Sequence, residues 1–145
     1  MTGSLFGEGA GRRAPDQCVV DAYAGVGRTL DDLPYTDAFE SLMARVRDAE
    51  PGAEHREVFH RLHTLRKAGR LPRLGGQGGV SPVRLSYEHE QMLIGMVVEA
   101  VGSLGQRDRL PYSETFDGLA ERFAGRTGLN LTRHDLWRLI ARLAK

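Results

Sequence analysis

LPYTDAF at residues 33–39 returns as LPYSETF at residues 110–116. Leu, Pro, Tyr and the closing Phe are identical; Thr exchanges with Ser, and Asp with Glu. The likeness extends both ways. Upstream, VVDAYAGVGR (19–28) lies against VVEAVGSLGQ (97–106). Downstream, FESLMARV (39–46) lies against FDGLAERF (116–123), and VFHRLHTLRK (58–67) against LWRLIARLAK (136–145). Single-residue shifts suffice to align residues 19–67 with 97–145, so the chain reads as an internal duplication.

Each copy predicts three helices. The first covers 16–27 in copy one and 86–104 in copy two. The second starts after Thr36 or Ser113, both good N-cap residues, each followed by an acid (Asp37, Glu114) suited to the positive end of the helix dipole. The preceding Pro keeps the first helix from running into the second. Phe39, Leu42, Met43 and Val46, matched by Phe116, Leu119, Ala120 and Phe123, fall at i, i+3, i+4, i+7 and form one buried stripe. Pro51 and Gly52, or Gly128 and Asn130, then break the chain. The third helix buries Val58, Phe59, Leu62 and Leu65, or Leu136, Trp137, Ile140 and Leu143. In copy two Thr132 and Asp135 set up a capping box with Asp for Glu. After the third helix of copy one, Gly69 is a C-cap. RLPRL and VSPVRL then flank GGQGG as a short hairpin would, with two prolines that confine such strands to edges.

Three helices, a short turn between the second and third, and a hairpin resemble the winged helix-turn-helix superfamily; LRKAGRLPRLG (65–75) looks like its third-helix end and first wing strand. The expected fold is therefore mainly α, a tandem of winged helix-turn-helix-like repeats with one small β-wing. The expected segments are an N-terminal tail (1–15), a first repeat with wing and linker (16–85), and a second repeat (86–145) that matches only through its third helix, because the sequence stops at Lys145: a second wing is missing, or the sequence is a fragment. The superfamily is broad, so the likeness implies fold more than task.

The net charge of +1 hides a segregation. From residue 55 to 73, six cations (Arg56, Arg61, Arg66, Lys67, Arg70, Arg73) face one acid, Glu57. From 126 to 145, five cations (Arg126, Arg133, Arg138, Arg142, Lys145) face Asp135. Both third helices are basic and the remaining scaffold is acidic. With Val58, Leu62 and Leu65 inward, the outward arc of the first holds Arg56, His60, His63, Thr64 and Lys67. With Leu136, Ile140 and Leu143 inward, that of the second holds His134, Arg138, Ala141, Arg142 and Lys145.

The resemblance implies that such a third helix enters the DNA major groove. Arg can bind guanine there, while Lys and Arg neutralise phosphates, and the wing residues Arg70, Arg73 and Arg84 would reach the adjacent backbone. The expected partner is double-stranded DNA, bound without catalysis or cofactor, as in transcription regulation or as the DNA-recognising subunit of a larger complex. The alternative is a protein-interaction adaptor. The first helix of copy two, YEHEQMLIGMVVEAVGSLG, has Leu93, Met96, Val97, Ala100, Val101 and Leu104 on one face, with Ile94 and Val98 widening it. Such a helix either packs on both copies or offers Ile94 and Val98 to a protein partner or a second copy. RNA binding would call for exposed aromatics, and most aromatics here lie on apolar stripes.

Other signals carry less. His55, His60 and His63 lack the Cys or carboxylate that would complete a zinc set. GEGAGRR (7–13) lacks the Lys-Ser/Thr ending of a phosphate loop. No nucleophile stands at a recognisable spacing from a base, and Asp31 and Asp32 read as turn residues. The lone Cys18, beside Val19 and Val20, reads as a buried small apolar residue and fits a reducing cytoplasm. No apolar run approaches the roughly 20 residues of a membrane span, and the first sixteen residues contain no apolar h-region of a secretory signal. The expected location is the cytoplasm.

Overall fold

A computed structural model describes residues 14–73 and 83–145. Among the described residues the protein is mainly helical and contains no strand. The chain divides into two compact units, Met1–Gln77 and Gly78–Lys145.

The first unit contains α1 (Asp16–Val26), a 3-10 turn (Leu30–Asp32), α2 (Asp37–Ala49) and α3 (His55–Lys67). The second contains α4 (Tyr87–Val101), a 3-10 turn (Leu104–Arg109), α5 (Glu114–Thr127) and α6 (Arg133–Leu143). The order is the same, and the turns before α3 and α6, residues 50–54 and 128–132, are equally long.

The Leu-Pro-Tyr corner is built identically in both. Leu33 and Leu110 are fully buried. Tyr35 and Tyr112 both take the left-handed conformation, with φ of 66° and 65°, which costs an L-residue about 1–2 kcal/mol. The next residue caps the helix. Thr36 Oγ1 accepts from the Phe39 amide at 3.2 Å and donates to the Leu33 carbonyl at 2.6 Å. Ser113 Oγ accepts from the Phe116 amide at 3.1 Å and donates to the Leu110 carbonyl at 2.6 Å. One hydroxyl thereby satisfies an orphan helix amide and gives the Leu33 or Leu110 carbonyl a second donor beside the Thr36 or Ser113 amide.

Behind the corners the cores match position by position but not in size. Phe39 and Leu42 correspond to Phe116 and Leu119, all fully buried. Met43 gives way to the smaller Ala120, Val46 to the larger Phe123, and Phe59 to Trp137, each buried. The Phe39 and Phe59 rings meet edge to face at 6.2 Å. Helix α1 packs against α2 and α3, and α4 against α5 and α6.

Several sequence expectations change. Helix α4 stops at Val101, not Leu104, because Gly102 turns to φ 96° while its amide still donates to the Val98 carbonyl at 2.8 Å. The chain then runs as a 3-10 turn. Cys18 is half-buried, not buried. Ala14, assigned to the tail, is buried and its amide donates to Glu50 Oε1 at 2.7 Å; residues 1–13 of that tail lie outside the described residues. The β-wing gains no support: residues 70–73 and 83–86 carry no strand, and the turn itself, residues 74–82, lies outside the described residues.

Candidate nucleic-acid interface

Helix α3 exposes Arg56, His60, Thr64 and Lys67 in one line, with Glu57 and Arg66 exposed to its sides. Its inward face holds Val58, Phe59, Leu62 and Leu65, all buried. Two features fix the orientation. At the start, His55 Nε2 lies 2.8 Å from Glu40 Oε2, and its ring meets Phe39 edge to face. At the end, Gly69 adopts φ 73°, its amide donating to the Arg66 carbonyl at 3.0 Å while the Arg70 amide donates to the Leu65 carbonyl at 2.9 Å. This 6→1, 5→2 pair is the Schellman arrangement.

His63 does not belong to the outward face. It is 2% exposed, with its ring 4.7 Å from that of Phe59. Arg66 Nη2 lies 3.4 Å from His63 Nδ1, and Asp31 Oδ1 lies 4.0 Å from Nε2. The equivalent residue in α6, Ala141, is also buried, at 3%. The apolar stripe alone puts both outward, because it marks only part of the inward face. The buried arc takes in His63 in α3, and both Leu139 and Ala141 in α6.

The free charge along residues 55–73 is also smaller than the sequence count. Arg61 points inward, its side chain only 12% exposed. Its Nε and Nη2 donate to Asp16 Oδ1 at 3.0 and 2.8 Å, Nη2 also donates to the Ala14 carbonyl, and Nη1 lies 3.7 Å from Glu50 Oε1. Arg66 lies 3.7 Å from Asp31, and Arg70 3.1 Å from Asp16. Six cations against Glu57 become six against four once Asp16, Asp31 and Glu50 are counted. Arg56 and Lys67 have no ion-pair partner among the described residues. Arg73 and Arg84 are exposed.

The carboxyl of Asp16 is held below its ordinary range chiefly by its hydrogen bonds from Arg61, with Arg70 adding to the effect. Burial raises the phenol of Tyr23, against the opposing charge of Arg66. Asp16 and Glu50 were missed in the sequence because they lie far from Arg61 along the chain; no local spacing announces them.

The corresponding face of α6 is more occupied. His134 and Arg138 are half-buried; Arg142 and Lys145 are exposed. Arg142 Nη2 lies 3.7 Å from Glu90 Oε2, and Arg133 Nε donates to Asp117 Oδ1 at 3.2 Å. Leu139, aligned with Arg61, is fully buried, and Leu143 only half-buried. On α4, Ile94 is half-buried, whereas Val98 is 43% and Tyr87 74% exposed.

No group of three or more His, Cys, Asp or Glu side chains among the described residues is arranged to hold a metal ion. None of the helices among the described residues is long and apolar enough to cross a membrane. Comparison with protein families, with curated proteins and with solved structures finds no match.

Proposed function

We propose that this protein binds duplex DNA without catalysis, as a tandem of two winged helix-turn-helix-like repeats, and serves as a regulator or as the DNA-recognising subunit of a larger complex. The exposed line of Arg56, His60, Thr64 and Lys67 carries the reading. From residue 56 to 67 an α-helix rises about 16 Å, slightly more than the roughly 12 Å width of the major groove. A cation at each end can therefore meet a phosphate on either side. The two side chains between them bear hydrogen-bond donors and acceptors, the kind of group that reads base edges. The histidine at 63 takes no part in this surface. In the second repeat Arg138, Arg142, Lys145 and His134 form a weaker counterpart, since part of that surface is buried or paired with acids.

The test is fluorescence anisotropy with a labelled random-sequence duplex over a range of salt. Neutralising two phosphates gives a log–log salt slope of about −1.8. Arg56→Ala/Lys67→Ala should remove most of the binding and that part of the slope. Arg138→Ala/Arg142→Ala should have a smaller effect. No binding by the wild type down to low salt refutes the proposal.

One observation favours a second reading, an adaptor whose partner is a protein or a second copy. Tyr87 and Val98 are exposed large apolar side chains on the same helix, α4. Val98→Asp should then abolish association without changing the salt-dependent binding of DNA.

A further inference from the structure

The ion pair between Asp16 and Arg70 sits just beyond the C-terminal end of α3, three residues after Lys67 in the chain, and its geometry is set from inside the fold. Asp16 Oδ1 takes both bonds from the largely buried Arg61. Arg61 is itself tied to Glu50 and to the Ala14 carbonyl. That leaves Asp16 Oδ2 free to accept from Arg70 Nη1 at 3.1 Å. The carboxylate is thus oriented before Arg70 arrives. The Schellman turn at Gly69 fixes the other side, since the Arg70 amide is bound back to Leu65. An ordinary surface ion pair must immobilise two free side chains. Here only the arginine is ordered on pairing, and its side chain remains 55% exposed, open to a competing anion.

We infer that Asp16 is an internal competitor for DNA phosphate, which holds Arg70 in reserve beside the reading helix. This rests on the DNA-binding reading above and deepens it: α3 contacts DNA through Arg56 and Lys67, while Arg70 is withheld unless a phosphate outcompetes the carboxylate. The hydrogen bonds from Arg61 keep Asp16 ionised well below neutral pH, so the clamp operates across the physiological range. The protein consequently binds non-specific duplex more weakly than its exposed arginines would allow.

The experiment compares the wild type with Arg70→Ala, Lys67→Ala, Asp16→Asn and Asp16→Asn/Arg70→Ala on one labelled random duplex, with circular dichroism to confirm folding. Arg70→Ala should bind within about twofold of the wild type, whereas Lys67→Ala should be clearly weaker. Asp16→Asn should bind about fivefold tighter at low salt, with a salt slope steeper by about 0.9, one extra phosphate. The double variant should lose that gain.

Arg70→Ala as weak as Lys67→Ala overturns the inference, because Arg70 then already contacts DNA. This comparison stands even if Asp16→Asn fails to fold. A double variant as tight as Asp16→Asn also overturns it, since the gain then comes from net charge alone. Binding by the wild type that Asp16→Asn leaves unchanged refutes the clamp alone. A wild type with no affinity at low salt refutes the DNA reading and the clamp together.

Discussion

Replacing Ser113 by Ala probes the corner on which each repeat turns. The hydroxyl accepts from the Phe116 amide at 3.1 Å and donates to the Leu110 carbonyl at 2.6 Å. Alanine removes both bonds. The carbonyl keeps the Ser113 amide as donor, at 3.1 Å, but the Phe116 amide loses its acceptor. Losing an N-cap costs about 1 kcal/mol. Ser113 is buried, so water cannot readily replace the hydroxyl, and an unsatisfied buried amide adds about 1 kcal/mol more. The expected loss is about 2 kcal/mol. Thr36 makes the same two bonds but is half-buried, so Thr36→Ala should cost only about 1 kcal/mol.

The second unit reports on itself, because Trp137 is the only tryptophan in the chain and is fully buried. Urea denaturation followed by its fluorescence reads that unit. With a slope of about 1 kcal/mol per molar urea for a unit of this size, Ser113→Ala should lower the midpoint by about 2 M. Ser113→Thr, which keeps the hydroxyl, should stay close to the wild type. A loss below about 0.5 kcal/mol for Ser113→Ala would show that the cap does not hold the corner.

Two further outcomes follow from the first unit. His63→Ala empties a buried position under Phe59 and should cost about 2–3 kcal/mol of stability, measured by urea titration with circular dichroism. It should leave the salt slope for DNA unchanged, whereas a histidine on the interface would lower affinity and spare stability. Burial raises the Tyr23 phenol above its ordinary value of 10.0. The first unit should therefore hold its stability up to about pH 10 and lose it above, because the unfolded chain ionises first. Tyr23→Phe should reduce that alkaline loss; equal losses in both proteins would show that Tyr23 does not contribute.

The corners, the caps and the apolar stripes of α2 and α5 could be read from the sequence because each is local. Thr36 and Ser113 reach an amide three residues on, and the stripes repeat with the helix period. The misreadings share a different origin. His63 and Ala141 are buried by what packs against their helices, not by their own hydropathy. Arg61, counted among the cations of residues 55–73, is turned inward by Asp16 and Glu50, which approach it from the start of α1 and the end of α2. The end of α4 moved because Gly102 takes a positive φ that an apolar pattern running past it cannot reveal. The candidate interface carries less free charge than the sequence suggests for the same reason: a charge count records the cations but not the acids that folding brings beside them.

The unequal division of volume between the two cores has a consequence for assembly. Tandem repeats are liable to exchange equivalent helices while folding. Here an exchange is penalised in both directions. If α5 took the place of α2, a Phe123 ring would enter the space built for Val46, and Ala120 would leave a void where Met43 belongs. The reverse exchange would open a cavity at 123 and crowd 120. Overpacking typically costs 1–3 kcal/mol and a large-to-small cavity 2–5 kcal/mol. The two halves keep a common corner and a common helix order, yet each core rejects the other's parts.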